Sequence, residues 1–564
     1  MRLLLAFTIL VVGSDLSGQT YLTIDSLGAG LDTGAAFLLV QTDLDELAAV
    51  PDGLRVGDMA YSFHTTPESL SYRATYGAVS ATGDSVNIAF TSLPLVQVKS
   101  FYELNNETKV PALISYADDQ QRMSGTVGIE YRGGFSLGFP KKSLDLEFWN
   151  NATNRESVDV QFTGLREDDD WVLDALYNEP MRINAYVAHN LWLDWHTPYY
   201  ADREPEARSG AGVRFVELFF MGAYHGVYLL SEQVDRKQLK LKKLKDDQLR
   251  GELYKGVSWS DATLFKGQPA RPGRGEETYA GWELKHPDAD DLIDWNPLYN
   301  MLGFVSTASD DEFTANIGDR FHLGNLIDYM LYINVAALFD NTGKNAYLAR
   351  YDQPEPYFFV PWDLDGSFGN VYDGTRSDFG DIWLTNGLLD RLIALNPSNF
   401  NQNLCNRYQT LRSGLLATDS LLKRIDEAHR LLENNGVFER EGQRWKNTRY
   451  DAEEILYMKN FLTDRMTYLD DYACLLSSIP GDVGAGHFVQ IFPNPAADYL
   501  TVRVGFLQPT PYRILDLAGR TVRSGQLQAA EEQLDLSGLR PGIYFMQIFD
   551  RVQRFVVVHT SPRK

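Results

Sequence analysis

Three polar residues stand out by type and spacing. Leu338-Phe-Asp-Asn-Thr-Gly-Lys-Asn-Ala-Tyr is followed by Val360-Pro-Trp-Asp-Leu-Asp-Gly-Ser-Phe-Gly. Asp340 falls where an apolar helical stretch ends, and Asn345 opens the apolar run Ala346–Ala349. Asp363 follows the apolar run that starts at Phe358. Strand, loop, strand and carboxylate fit a β-hairpin that brings Asp340, Asn345 and Asp363 to one edge. Phosphoryl transfer needs such a set: one carboxylate to orient a hydroxyl and take its proton, an amide oxygen and a second carboxylate to hold a divalent cation. Asp340 is the candidate catalytic residue, and Asn345, Asp363 and Asp365 are the candidate metal ligands. The plainer reading makes Asp340 and Asn345 turn caps, and Asp363-Leu-Asp-Gly a surface turn or weak calcium loop. The apolar frame of Trp362 and Phe368 favours the first reading.

A second constellation lies upstream, Tyr131-Arg-Gly-Gly-Phe-Ser-Leu-Gly-Phe-Pro-Lys-Lys-Ser-Leu-Asp-Leu-Glu-Phe. It reads as two strands about a glycine-rich turn, whose backbone NH groups can approach phosphates. Arg132, Gly133 and Gly134 are the candidate nucleotide-binding residues of the turn. If Leu144, Leu146 and Phe148 share one inward face, Lys142 points inward with them and Lys141 outward. Lys142 is therefore the expected phosphate-neutralising lysine. Its carboxylate partner stays open among Asp168, Asp169, Asp170, Asp174 and Glu179, with Asp168–Asp170 read as a solvated acidic loop. Protein kinases also space base and asparagine by five, and in kinase order the segment after the Gly226–Ser231 strand bonds adenine through backbone groups. That places Glu232 and Val234 at the nucleotide. His225 reads as a turn residue, and the basic run from Arg236 as a solvated face.

The elements that must position these groups are mixed. Residues 20–93 form a small β-rich segment, by their apolar/polar alternation. Over 94–477 strands (Gly125–Tyr131, Ser143–Phe148, Val213–Phe220, Gly226–Ser231, Tyr357–Pro361) mix with helices (Pro180–Trp195, Leu323–Phe339, and three from Asn399 to Leu476, the last Ala452–Leu475). Residues 478–487 are a linker, and 488–564 are again β-rich. Met1-Arg2 with an apolar run to Gly13 and a small-residue exit reads as a signal peptide over 1–19. No later stretch is long enough to span a membrane, so the mature chain is expected without a transmembrane helix.

The chain has 564 residues, 52 Lys+Arg against 76 Asp+Glu (net −24), and 12% aromatic residues. This much apolar mass excludes global disorder, and the acidity argues against nucleic acid as a partner. The tail differs: residues 488–564 carry 9 Lys+Arg and 6 Asp+Glu, 9 − 6 = +3, which marks a separate module. Two cysteines, Cys405 and Cys474, exclude a four-cysteine zinc site and leave a disulfide open.

Taken together and in order, these pieces resemble the CotH kinase family of atypical secretory-type kinases. The matching segments are Arg132-Gly with Phe139-Pro-Lys-Lys-Ser, Asp169-Asp-Trp-Val-Leu, Arg182-Ile-Asn-Ala, Glu217-Leu-Phe with Tyr224-His-Gly-Val-Tyr, Asp340-Asn with Lys344-Asn-Ala-Tyr, and Pro361-Trp-Asp-Leu-Asp-Gly-Ser-Phe-Gly. The resemblance implies an α+β, kinase-like two-lobed domain that phosphorylates protein Ser or Thr hydroxyls with ATP and magnesium or manganese. It implies Asp340 as catalytic residue and Asn345 with Asp363 as metal ligands. Where the family often has Gly-Asn-Ser-Ser, this chain has Gly133-Gly-Phe-Ser.

The tail resembles the type A sorting domain of the type IX secretion system of Bacteroidetes, through Phe492-Pro-Asn-Pro-Ala, Ile514-Leu-Asp-Leu-Ala-Gly-Arg and Leu536-Ser-Gly-Leu-Arg-Pro-Gly-Ile-Tyr. That implies an immunoglobulin-like β-sandwich, the type IX machinery as a partner, and passage through the periplasm to the cell surface or beyond. Two other function classes stay open. One is a surface structural or adhesion protein whose kinase-like domain binds calcium or glycan. The other is a glycan hydrolase with paired carboxylates.

Overall fold

The apolar alternation upstream of the glycine-rich turn closes on itself. In the computed structural model, seven strands form a barrel: Leu95–Ser100, Val110–Ala117, Arg122–Arg132, Ser143–Trp149, Asp170–Asp174, Val213–Phe220 and Ala223–Glu232. All pairs are antiparallel except the closing one, where Leu95–Ser100 lies parallel to Val213–Phe220. Every second side chain points inward, so Val127, Ile129, Leu144, Leu146, Phe148, Trp171, Leu173, Tyr228 and Leu230 fill the lumen. The other face of the same strands looks outward, and the candidate site is built against it.

The structure describes residues 12–14, 19–246, 248–273, 275–377, 380–446, 450, 452–478, 489–504, 510–517, 519–529, 531–548 and 551–558. Most of the expected signal peptide and nearly all of the expected linker lie outside these residues. Val12–Ser14 pairs with Thr20–Ile24 at the edge of an eight-stranded sheet that extends to Thr91.

Past the barrel, a five-stranded antiparallel sheet runs in the order Thr278–Tyr279, Trp282–His286, Glu252–Gly256, Ala346–Arg350, Tyr357–Pro361. Among the described residues nine helices accompany these sheets: α1 Asn184–Trp195, α2 Asn296–Thr307, α3 Asp310–Arg320, α4 Leu323–Val335, α5 Gly387–Leu395, α6 Phe400–Arg412, α7 Thr418–Asn434, α8 Val437–Arg444 and α9 Ala452–Tyr472. They share one large core, with Trp192, Tyr332, Phe359, Leu388, Ile425 and Met466 at its centre. The fold is α+β.

Two helices are shorter than their periodicity predicts. α1 starts at Asn184 because Arg182 is left-handed (φ 58°) and the buried Glu179 carboxylate accepts the free NH groups of Asn184 and Ala185. α4 stops at Val335 because Ala337 turns left-handed (φ 57°), which frees the chain to reach Asp340.

Cys405 on α6 and Cys474 beyond α9 form a disulfide. The tail builds a three-stranded and a four-stranded sheet around one core that includes Leu500, Val502, Ile514, Met546 and Phe555. Among the described residues no helix is long and apolar enough to cross a membrane.

Candidate functional site

The hairpin predicted from sequence forms, and its open end is the site. Ala346–Arg350 pairs with Tyr357–Pro361, and one step further the Trp362 NH donates to the Asn345 carbonyl at 3.0 Å. Asn345 (φ 54°) and Asp363 (φ 57°) both take the left-handed conformation that Asn and Asp tolerate better than most residues. Asn341 clasps this end: its amide donates to the Asn345 carbonyl at 2.6 Å and the Trp362 carbonyl at 3.0 Å. Its own carbonyl accepts the Tyr329 hydroxyl at 2.7 Å. Asp340 opens the short turn just before Asn341 and pairs with Lys344 at 2.8 Å. Asp365 accepts the Asn178 amide at 2.5 Å.

The carboxylates crowd one another. Protein surrounds Asp363 on most sides, and this raises its carboxyl pKa together with the nearby Asp174 charge, while Lys255 and Arg132 act against the rise. Asp363 is nevertheless exposed to the open cleft, so water moderates the effect. Asp365 is raised well above the usual range by burial and by Asp363. Asp174, across the cleft on the barrel wall, accepts the Ser143 hydroxyl at 3.0 Å.

The glycine-rich turn overhangs these groups. Gly133 is at φ 125°, a conformation that favours glycine, and Phe135–Gly138 form a single helical turn. Arg132 pairs with Asp145 at 2.7 Å and lies over the Trp362 ring at 5.5 Å. Phe135 is 62% exposed and meets Tyr372 edge-on at 5.0 Å. An aromatic pair thus spans the cleft mouth.

Of the two adjacent lysines, Lys141 lines the cleft, and the expected Lys142 does not. The parity argument placed the faces rightly: Lys142 has the same parity as Leu144 and Leu146, which point into the barrel lumen. The cleft, however, lies against the outer wall, with Lys141, Ser143, Val172, Asp174, Leu229 and Ser231. Lys142 bonds the Leu137 carbonyl and does not line the cleft. Lys141 is fully buried and pairs with Glu441 at 2.9 Å.

None of the five candidate carboxylates is that partner. Glu441 comes from α8, which donates it from 300 residues downstream. It also accepts from Arg182 Nε at 3.0 Å and from the Val227 NH at 2.9 Å. Burial alone would raise its pKa, but Lys141 and Arg182 outweigh burial and hold Glu441 below the usual range. Burial pushes Lys141 down to about 8, against the attraction of Glu441. Gly226 (φ 90°) leaves room for the Glu441 carboxyl, which a β-carbon there would approach to 2.7 Å.

Other expected positions fall elsewhere. Glu232 and Val234 do not line the cleft: the Glu232 carboxylate is taken by Arg208, Gln238 and the Gly212 and Arg166 NH groups, and Val234 sits in a core with Tyr200 and Tyr347. Asp168–Asp170 are not a solvated loop. Asp168 is buried against Arg166, Asp170 pairs with Lys109 at 3.3 Å, and Lys237 bridges Asp159, Asp168 and Asp169. An ammonium therefore occupies the centre of the one group of three or more carboxylates, among the described residues, that lie close enough together to hold a metal. His225 is a strand residue packed on Trp445, with its pKa pushed down to about 4 by burial and then Arg444.

Arg132, Gly133, Gly134, Asp340, Asn345, Asp363 and Asp365 line one cleft of about 510 Å3, within the range of small-molecule sites. Lys255, Lys285, Lys344 and His189 line it too, and none was singled out from sequence. The arrangement offers oxygen donors for a hard cation, backbone NH groups and cations for phosphates, and a carboxylate at an open edge.

Residues 129–469 match the model of the CotH kinase protein family, and residues 490–558 match that of the secretion system C-terminal sorting domain. No curated protein matches the chain. The sorting domain marks the chain for secretion to the cell surface or extracellular space by the type IX machinery.

Proposed function

Because the chain belongs to the CotH kinase family, we propose that it is an exported kinase that transfers the γ-phosphate of ATP to Ser or Thr hydroxyls of an extracytoplasmic or surface protein. The observation that carries this reading is that Asp340, Asn345, Asp363 and Asp365 line one cleft together with the glycine-rich turn. The barrel and the helix-backed five-stranded sheet are then the two lobes of a kinase-like fold, with the nucleotide between them, and the tail is an immunoglobulin-like sandwich.

Asp340 holds the acceptor hydroxyl and takes its proton. The hydroxyl oxygen bonds to the γ-phosphorus as the bond from that phosphorus to its bridging oxygen breaks, and ADP leaves. The NH groups about Gly133 and Gly134 face the phosphates, and Lys141, fixed by Glu441, adds positive charge at the barrel wall. Asp363, Asp365 and the Asn345 amide oxygen fit magnesium or manganese: they are hard donors only, and the carboxyl pKa of each aspartate is raised by burial and then by a neighbouring carboxylate, Asp174 for Asp363 and Asp363 for Asp365, a repulsion that a divalent cation would relieve. Such an ion, when bound, neutralises phosphate charge. Asn341 keeps Asn345 and Asp363 at the required spacing.

Two measurements test the reading. ATP should stabilise the full chain against unfolding in a magnesium-dependent way, by about 2.7 kcal/mol at a hundredfold excess over Kd, and Asp363→Ala should abolish the shift. Labelled phosphate should pass to a coexpressed surface protein, or to the chain itself, and Asp340→Ala should stop transfer while keeping the stabilisation. Unchanged stability with ATP and magnesium would end the proposal.

A further inference from the structure

Charge pairing separates the cations of the cleft. Arg132 is paired with Asp145, Lys141 with Glu441, Lys285 with Glu283 at 2.9 Å and Lys344 with Asp340. Lys255 makes no hydrogen bond or ion pair with any described residue. Its Nζ lies 5.9 Å from the Tyr347 ring centroid, near the outer limit for a cation–π contact, and the Glu283 and Asp363 carboxylates act on it without pairing to it.

Its place in the sheet is fixed. Lys255 sits on the Glu252–Gly256 strand, opposite Glu283 on one side and Tyr347 on the other. The next residue, Gly256, accepts the Asn345 NH through its carbonyl at 2.9 Å. An unpaired ammonium is thus mounted on a central strand, next to the turn that presents Asn345, and lines the same cleft as Asp363.

Leaving a cation unpaired in such a place is costly. Burial, with Arg132 and Lys285 nearby, pushes Lys255 down to about 8. A structural lysine would be paired, as the other four cleft cations are. A polyanion entering the cleft would supply the missing partner.

We infer that Lys255 is a direct polyphosphate-binding lysine of the cleft, in addition to Lys141, which Glu441 holds at the barrel wall. This rests on the kinase reading and adds to it that phosphate-binding charge is carried by the five-stranded sheet as well as by the barrel.

The test uses full-length protein and three probes, magnesium-ATP, inorganic tripolyphosphate and adenosine, with binding followed by calorimetry. Wild type should bind the first two. Lys255→Met should weaken both roughly ten- to a hundredfold, the worth of a charge-assisted hydrogen bond, and leave adenosine unchanged. Lys255→Arg, which keeps the charge, should recover most of the loss, and Lys423→Met, on the exposed face of α7 outside the cleft, should have little effect. Lys255→Gln, compared with wild type by circular dichroism and unfolding, guards against a folding defect in the methionine variant. Wild-type binding with Lys255→Met and Lys255→Gln both unimpaired overturns the assignment alone. A wild type that binds neither ATP nor tripolyphosphate overturns the kinase reading and this inference with it.

Discussion

Replacing Glu441 with Gln should expose how strongly the barrel wall depends on one side chain from α8. Glu441 is fully buried and faces two cations that are themselves 0% and 1% exposed, Lys141 and Arg182. Removing one member of a buried ion cluster leaves uncompensated charge and costs about 3–5 kcal/mol. Deprotonation of Lys141 sets an independent ceiling: neutralising a lysine at pH 7 against an unfolded pKa near 10.4 costs at most about 4.6 kcal/mol. Lys141→Met should be milder, about 1–3 kcal/mol, because Glu441 keeps Arg182 and the Val227 NH.

The pH dependence has a definite sign. A lysine with a depressed folded pKa binds fewer protons folded than unfolded once pH exceeds that value, so stability rises with pH above it. In wild type this rise begins near pH 8. Without Glu441 it begins at lower pH, so the Glu441→Gln deficit should shrink by up to about 1.4 kcal/mol per pH unit on the acid side of 8. Urea unfolding followed by tryptophan fluorescence is the assay. All 10 Trp lie between Trp149 and Trp445, so the signal reports neither the N-terminal sheet nor the tail. A Glu441→Gln loss under about 1 kcal/mol, or a pH slope equal to wild type, would refute the reasoning.

Gly226→Ala should reproduce much of that damage, because its β-carbon meets the Glu441 carboxyl at 2.7 Å from a left-handed backbone; a loss of about 2 kcal/mol or more is expected in the same unfolding assay. Asn341→Ala should cut phosphate transfer at least tenfold while lowering stability by only about 1–3 kcal/mol, since it frees the Asn345 and Trp362 carbonyls that set the hairpin mouth; equal transfer by variant and wild type would remove the clasp role. His189 is pushed down to about 4 by burial. Its contribution is therefore complete above pH 6.5 and is lost as pH falls towards 4, at up to about 1.4 kcal/mol per unit. The stability gap between wild type and His189→Gln should narrow from pH 7.5 to 5, and a constant gap would count against a neutral buried imidazole.

What the sequence made legible follows the reach of local patterning. Asp340, Asn345, Asp363 and Asp365 lie within one hairpin and its approach, so spacing and strand alternation suffice to bring them together. The same alternation located the barrel strands, but it reports only which residues share a face. Whether the useful face is lumen or outer wall depends on closure by Leu95–Ser100 against Val213–Phe220, a long-range pairing without a local signature. Hence Lys142 was favoured over Lys141. Glu441 was out of reach for a related reason: it belongs to an eight-residue helix, and nothing near it in the chain points to a lysine 300 positions earlier. Lys255 carries no motif, and its lack of a hydrogen-bond or ion-pair partner among the described residues is visible only in the fold. Glu232 and Val234 were placed by kinase order, and the Arg208, Gly212 and Gln238 contacts there use the polar groups for structure instead.

The covalent bond between Cys405 and Cys474 closes just before the chain leaves for the tail, whose first strand starts 15 residues later at Val489. Any load applied through the tail would enter the domain at this point. Tension arriving from the tail side reaches the crosslink first and passes into α6, in the middle of the helical core, rather than peeling α9 away from its end. Such a load would be passed to the middle of the helical core, and Asp340, Asn345 and Asp363 lie dozens of residues upstream of either sulfur.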